Sequence, residues 1–151
     1  MRAGYGMGLM TGGWRLPMAA SPASVGLAWS LVEQRLLTWG VGEDVRYDAH
    51  LVLAELVANA VSVTPADGRI TVGCDREAGG IVIGVADPCP RALRAPAPLV
   101  ELRAEDLDLR EENFDLNGGW GLGIVAALSA AWGADPLPDG RGKVGWARRR
   151  A

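Results

Sequence analysis

The sequence predicts an α+β fold, a two-layer α/β sandwich with helices on one face of a mainly antiparallel mixed sheet. Two amphipathic helical segments come first, two alternating segments joined by a short turn follow, and a last helix and strand close the chain. Helices and strands in separate runs, without a regular βαβ alternation, favour this arrangement. At 151 residues the chain is long enough for one hydrophobic core, so we expect a single domain over residues 14–151.

Composition narrows the classes of function. Apolar residues make up 49% of the chain and the net charge is −3, so nothing favours direct binding to nucleic acid or to an anionic membrane. The only cysteines, Cys74 and Cys89, lack CxxC spacing, and His50 is the one histidine, which argues against a zinc site and a histidine base. No signal peptide or membrane-length apolar run is evident. We expect a cytoplasmic protein.

The first half predicts one short strand and two helices. Residues 1–13, rich in glycine and methionine, are expected to be disordered, and residues 14–18 to form an edge strand. Ser21 as N-cap and Pro22 at the first helical position predict a helix that stops before Gly40. Apolar residues at helical spacing predict a second helix over residues 44–62.

The second half predicts two paired strands, a long loop, a helix and a last strand. Apolar and polar or small residues alternate in "RITVGCD" and "IVIGVAD", which "EAGG" joins as a hairpin. Residues 88–117 are rich in proline and acidic residues, and a loop of this length is usually functional or disordered. "GGWGLGIVAALSAAW" then predicts an apolar helix ending at Gly133, and "GKVGWARR" the last strand.

Glu55 and Asn59 are the first candidate site residues. They lie four residues apart and therefore share one face of the second helix. A carboxylate that takes a proton, beside an amide oxygen that ligates a hard cation, suits a magnesium–phosphate site. An exposed polar helix face explains the same two residues, so the pair alone does not distinguish a binding site from a solvent-exposed surface.

Asp87 and a glycine cluster are the other candidates. Asp87 ends an apolar strand, where a carboxylate can accept the amino group of adenine, although an aspartate before a proline turn is also common. Gly118, Gly119, Gly121 and Gly123 precede or open a helix, where backbone N–H groups bind phosphate. "GLGIVA" also fits the dinucleotide pattern G-x-G-x-x-A, but an acidic loop and not a strand precedes it and "RGKVGWA" follows, so we reject a dinucleotide site.

These three segments, in this order, resemble the N, G1 and G2 boxes of the GHKL (Bergerat-fold, histidine-kinase-like) ATPase superfamily. "AELVANAV" is similar to the N box and "WGLGIVAALSAAWG" to the glycine box with its following helix. Within the superfamily, residues 14–148 look closest to small actinobacterial ATP-binding regulators similar to anti-sigma-factor serine/threonine kinases.

The resemblance implies a role for each candidate residue. Asn59 would ligate Mg²⁺, Glu55 would act as the general base or orient the attacking group, and Asp87 would bind the adenine amino group of ATP. Gly119, Gly121, Leu122 and Gly123 would line the triphosphate, and residues 88–117 would form the ATP lid. The implied partners are a sigma factor and an anti-sigma antagonist protein, in transcription regulation. Apolar residues of the first helix, such as Leu27 or Leu31, are candidates for either a homodimer or a sigma contact, and core packing is the alternative.

The chain departs from the family pattern where adenine would bind. The G1 box usually continues as D-x-G-x-G, whereas Asp87 is followed by "PCP", and Val144 and Gly145 stand near the place of a hydroxyl that often assists adenine binding. Two functions therefore stay open. One is an ATP-dependent serine/threonine protein kinase, and the other is a non-catalytic interaction module with a degenerate nucleotide pocket.

Overall fold

The computed structural model describes residues 14–89, 120–138 and 140–151. Within these ranges the chain forms five strands and three helices. In chain order they are β1 (Trp14–Ala19), α1 (Ser24–Thr38), α2 (Glu43–Ser62), β2 (Arg69–Glu77), β3 (Gly80–Asp87), α3 (Trp120–Leu128), β4 (Ala131–Pro136) and β5 (Lys143–Arg150).

The described strands form one sheet in the order β1-β2-β3-β5-β4, and each neighbouring pair is antiparallel. A short turn at Ala78 and Gly79 joins β2 to β3, where Gly79 takes a φ of 79° that a side chain would disfavour. Helix α2 packs on β3 and β5, and α1 and α3 pack against α2. The predicted α+β class, with helices on one face of an antiparallel sheet, is confirmed.

The core lies between α2 and the sheet. Leu53 and Val57 on α2 are completely buried, and they belong to one apolar cluster with Ile83 and Val85 of β3. On α1, the residues spaced four apart are also completely buried: Ala28, Val32 and Leu36. This spacing is the helical period that predicted the two amphipathic helices.

The predicted start of the first helix is wrong. Ser21 and Pro22 lie in a turn, and α1 begins at Ser24 with Ala23 at the N-cap position. The Ser21 hydroxyl accepts a hydrogen bond from the Ala23 N–H at 3.3 Å, and the Ser24 N–H bonds to the Ser21 carbonyl at 2.9 Å. Serine and proline are common at helix starts, but they also favour turns. Here they form a local turn before the helix.

The predicted end of the last helix is also wrong. Helix α3 ends at Leu128, and residues that we expected to continue it form β4, which pairs with β5. Alanine-rich sequence has high helix propensity, but tertiary packing overrides propensity here. Trp132 packs against the core between sheet and helices, while Gly133 lies under the ring of Trp146 on the other face.

Several predictions fall outside the described residues. They concern residues 1–13 and almost all of the ATP lid predicted over residues 88–117, of which only Pro88 and Cys89 are described. The disordered segment, the lid and the single domain over residues 14–151 therefore stay predictions. None of the helices in the described part of the chain is long and apolar enough to cross a membrane.

Candidate functional site

Helix α2 carries Glu55 and Asn59 toward the end of the sheet at which Asp87 lies. Near its start, Asp48 accepts hydrogen bonds from Arg149 of β5 at 3.0 and 3.1 Å. Asn59 lies eleven residues further along α2, or about 17 Å at helical rise. The six residue steps of β5 from Arg149 back to Lys143 span about 20 Å. Because α2 packs along β3 and β5, Asn59 reaches the end where Lys143 pairs with Asp87.

Glu55 is a half-buried carboxylate in the C-terminal half of α2. Among the residues that the structure describes, none forms a hydrogen bond or ion pair with its side chain. Burial raises the pKa of Glu55 above the ordinary value of 4.5, because the charged form loses solvation. A carboxylate whose pKa is raised toward neutrality is a better proton acceptor for catalysis at neutral pH.

Replacing Glu55 by glutamine is expected to give a pH-dependent gain in stability. Because the pKa of Glu55 is raised on folding, the folded protein holds this proton to higher pH than the unfolded chain. Stability therefore falls as pH rises from about 4.5 to the folded pKa, and the full penalty persists above it. We expect the melting temperature of Glu55→Gln to exceed that of the wild type at about pH 8, with the gap narrowing toward about pH 5. A difference in melting temperature that is constant with pH would contradict a raised pKa for Glu55.

Asn59 lies one helical turn after Glu55 and is also half-buried. Its backbone carbonyl accepts a hydrogen bond from the Ser62 hydroxyl at 2.7 Å, close to the end of α2. The side-chain amide has no hydrogen-bond partner among the described residues. An amide oxygen in this position remains available as a ligand for a hard cation.

Asp87 is held in a buried ion pair with Lys143, the only lysine of the chain. The Lys143 Nζ lies 3.1 Å from Asp87 Oδ1 and 3.0 Å from Oδ2, and the two side chains are 5% and 4% exposed. Lys143 also donates to the Cys89 carbonyl at 3.3 Å, and the Cys89 N–H donates to Asp87 Oδ1 at 2.8 Å. We call these three residues, Asp87, Cys89 and Lys143, the clasp.

The sequence analysis missed Lys143 as a site residue. The family pattern places a hydroxyl that assists adenine binding near Val144 and Gly145, and lysine is not a typical adenine contact. A signal was present in the strand register, since Asp87 and Lys143 are cross-strand partners in β3 and β5. Facing residues of opposite charge in adjacent antiparallel strands commonly interact.

Gly142 closes the clasp from the turn between β4 and β5. A Cβ atom at this position would lie 2.2 Å from the Asp87 carbonyl oxygen and 2.9 Å from Leu137 Cδ1. Only glycine lets the two backbone segments approach this closely. The end of β3 is therefore covered by the backbone before β5 as well as by the Lys143 side chain.

The glycine segment lies partly in α3. Gly121, Leu122 and Gly123 fall within the first turn of this helix, which begins at Trp120, and Gly119 lies outside the described residues. Helix α3 packs against α2, and Val125 is completely buried in the core. The backbone N–H groups of a first helical turn have no partner within the helix, so they suit an anion.

Comparison with models of known protein families shows which family the chain belongs to. Residues 18–140 match the model of the histidine kinase-like ATPase domain. The chain belongs to this family. No curated protein matches the sequence.

Membership in this ATPase family implies ATP binding, and the described residues fit one end of that ligand. Glu55 and Asn59 lack partners among the described residues, and the first turn of α3 contributes backbone N–H groups of the kind that bind phosphate. The adenine end differs, because the Asp87 carboxylate already accepts hydrogen bonds from Lys143 and Cys89. The phosphate and metal contacts therefore have available groups, whereas the base contact does not.

Two other features of the structure lie apart from these residues. An open cleft of about 830 Å³ lies at the hairpin end of β2 and β3, and Glu43, Arg76 and Ile81 are among its lining residues. Its lining includes none of the predicted site residues. Burial, with a smaller effect of Asp75, raises the pKa of the Cys74 thiol to about 12, so this thiol stays protonated and unreactive at neutral pH.

Proposed function

We propose that the protein is an ATP-dependent serine/threonine protein kinase of the anti-sigma-factor type, which phosphorylates a partner antagonist protein. The observation that carries the proposal is Glu55, a half-buried carboxylate with raised pKa and no partner among the described residues, one turn from Asn59. A half-buried carboxylate without a partner destabilises the fold. A role as the base in phosphoryl transfer would explain why it is present.

In this proposal Glu55 takes the proton of the acceptor hydroxyl. The serine oxygen forms a bond to the γ-phosphorus of ATP while the bond from that phosphorus to the β–γ bridging oxygen breaks, and ADP leaves. Asn59 would hold Mg²⁺, which when bound offsets the negative charge of the phosphates. Gly121 and Gly123, with Gly119 and Leu122, would position the triphosphate at the start of α3, and no nucleophile of the chain itself is needed.

The proposed protein partners, a sigma factor and its antagonist, require an interaction surface. Large apolar side chains are exposed on the first two helices: Leu27 and Leu37 on α1, and Tyr47 and Leu51 on α2. Exposed apolar side chains on neighbouring helices suit contact with another protein or a second copy of the chain. They support regulation through contact with another protein.

The decisive experiment is transfer of radiolabel from ATP to a partner protein captured with this chain. We expect label on a serine of the antagonist with the wild type, and loss of transfer by at least about 100-fold in Glu55→Gln, as for a general base. Glutamine keeps the size of the side chain and its hydrogen-bonding capacity but does not take the proton. Glu43→Gln, the same substitution at an exposed position of the same helix, is the matched control for handling and folding.

Two results would count against the kinase. Transfer that persists in Glu55→Gln would remove the role of Glu55. Failure of the wild type to label any captured partner, under conditions in which it binds MgATP, would favour the second candidate, a non-catalytic interaction module. The clasp is the observation that favours this second candidate, because Asp87 is already engaged within the protein.

A further inference from the structure

The clasp contains the only lysine of the chain at a position that faces the predicted adenine contact. Both carboxylate oxygens of Asp87 lie within 3.1 Å of the Lys143 Nζ, and Oδ1 also accepts from the Cys89 N–H. The third Lys143 donor is directed to the Cys89 carbonyl. Each charged group of the clasp is therefore satisfied inside the protein.

A base that is to use Asp87 has to displace this lysine. Adenine would replace a bond between two opposite charges with a bond from a neutral amino group to the carboxylate, which is weaker. The displaced ammonium would also lose its carboxylate partner at a site that is almost fully buried, which is costly. Gly142 packs closely against the Asp87 carbonyl, so the backbone offers little room for rearrangement.

We propose that Lys143 determines nucleotide specificity by occupying Asp87, so that this protein binds purine triphosphates through their phosphates with little preference for adenine. The inference rests on the proposed nucleotide site and adds which base it selects. A carboxylate open to the ligand accepts the amino group of adenine and repels the carbonyl oxygen that guanine presents at the same place. A carboxylate already paired with lysine exerts neither effect.

The first test compares ATP with GTP, each with Mg²⁺, by calorimetric titration. We expect the wild type to bind both with affinities that agree within about threefold. Lys143→Thr exposes the Asp87 acceptor and leaves space for a base, so ATP affinity should rise by about tenfold or more while GTP affinity does not rise. The gain should vanish in Asp87→Ala/Lys143→Thr, which removes the acceptor together with its partner. Arg150→Thr, an exposed change on the same strand, is the matched control.

The outcomes separate the inference from the proposed function. A wild type that prefers ATP by about 30-fold or more, or a Lys143→Thr variant without a gain for ATP, would overturn the role of Lys143. A wild type that binds neither nucleotide would contradict the proposed nucleotide site, and a gain for ATP in Lys143→Thr would then support only the blocking of Asp87 by Lys143.

A second test uses the wild type and so does not depend on whether a variant folds. Because the chain has one lysine, protein labelled with ¹³C,¹⁵N-lysine gives a single side-chain ammonium resonance in the NMR spectrum. We expect saturating MgATP and MgGTP to leave this resonance in the same place as each other, with the ammonium still protected from solvent exchange. A shift or a loss of protection with MgATP alone would show that adenine displaces Lys143, and would overturn the inference.

Discussion

Replacing Lys143 by methionine is expected to lower the free energy of unfolding by about 3–5 kcal/mol, because it leaves the Asp87 carboxylate buried without its cation. The lysine and aspartate side chains are 5% and 4% exposed, so water does not replace the lost partner. Among the residues that the structure describes, only the Cys89 N–H still donates to the carboxylate. Chemical denaturation by urea, followed by the fluorescence of the tryptophans, measures the change directly.

The matched control removes both charges at once. In Asp87→Leu/Lys143→Met two apolar side chains replace the buried pair, and such replacements are often neutral or stabilising. We therefore expect the double variant to regain most of the stability that Lys143→Met loses. Equal or additive losses in the double variant would show that the clasp contributes through its shape and not through its charges.

Replacing Asn59 by alanine is expected to abolish the stabilisation of the protein by MgATP. ATP at about 100 times its Kd stabilises a binding protein by about 2.7 kcal/mol, which for a chain of this length corresponds to about 5–10 °C in melting temperature. Asn59 would supply the protein's own ligand for Mg²⁺, so its loss weakens the metal-bound phosphates specifically. Thermal unfolding with and without MgATP measures the effect.

The controls for Asn59 keep the helix unchanged. Asn59 is half-buried and its side chain has no partner among the described residues, so Asn59→Ala without ligand should change stability by no more than about 0.5 kcal/mol. Tyr47→Ala, on an exposed part of the same helix, should retain the full response to MgATP. A full response in Asn59→Ala would contradict its role in holding the metal.

The fold was largely predictable because its core strands and helices follow simple periods. Ile81, Ile83 and Val85 alternate along β3 and are all buried in the core, as a strand with one face on the helices requires. The helical spacing of Ala28, Val32 and Leu36 is equally regular. In these segments local pattern and tertiary packing agree, so the sequence alone is sufficient.

Strand β4 was not predictable in the same way. Its sequence, "AWGADP", is short, rich in small residues and continuous with an alanine-rich helix. A Cβ atom at Gly133 would lie 3.2 Å from the ring of Trp146, so glycine serves a contact with a strand that comes later in the chain. That reason for a glycine is visible only once β4 and β5 are paired.

The site was predictable in part, for a similar reason. Glu55 and Asn59 are four residues apart on one helix, so sequence spacing alone places them on the same face. Asp87 and Lys143 are 56 residues apart, and their contact follows from the register of two strands. The sequence therefore points to the phosphate and metal end of the site, while the engagement of Asp87 is a tertiary feature.

The most direct test of a nucleotide site formed by Glu55, Asn59 and the start of α3 is calorimetric titration of the wild type with ATP, in the presence and absence of Mg²⁺. We expect saturable binding of one nucleotide per chain with Mg²⁺, and binding weaker by about tenfold or more when EDTA removes the metal. No binding at millimolar MgATP, or binding that is indifferent to Mg²⁺, would contradict it.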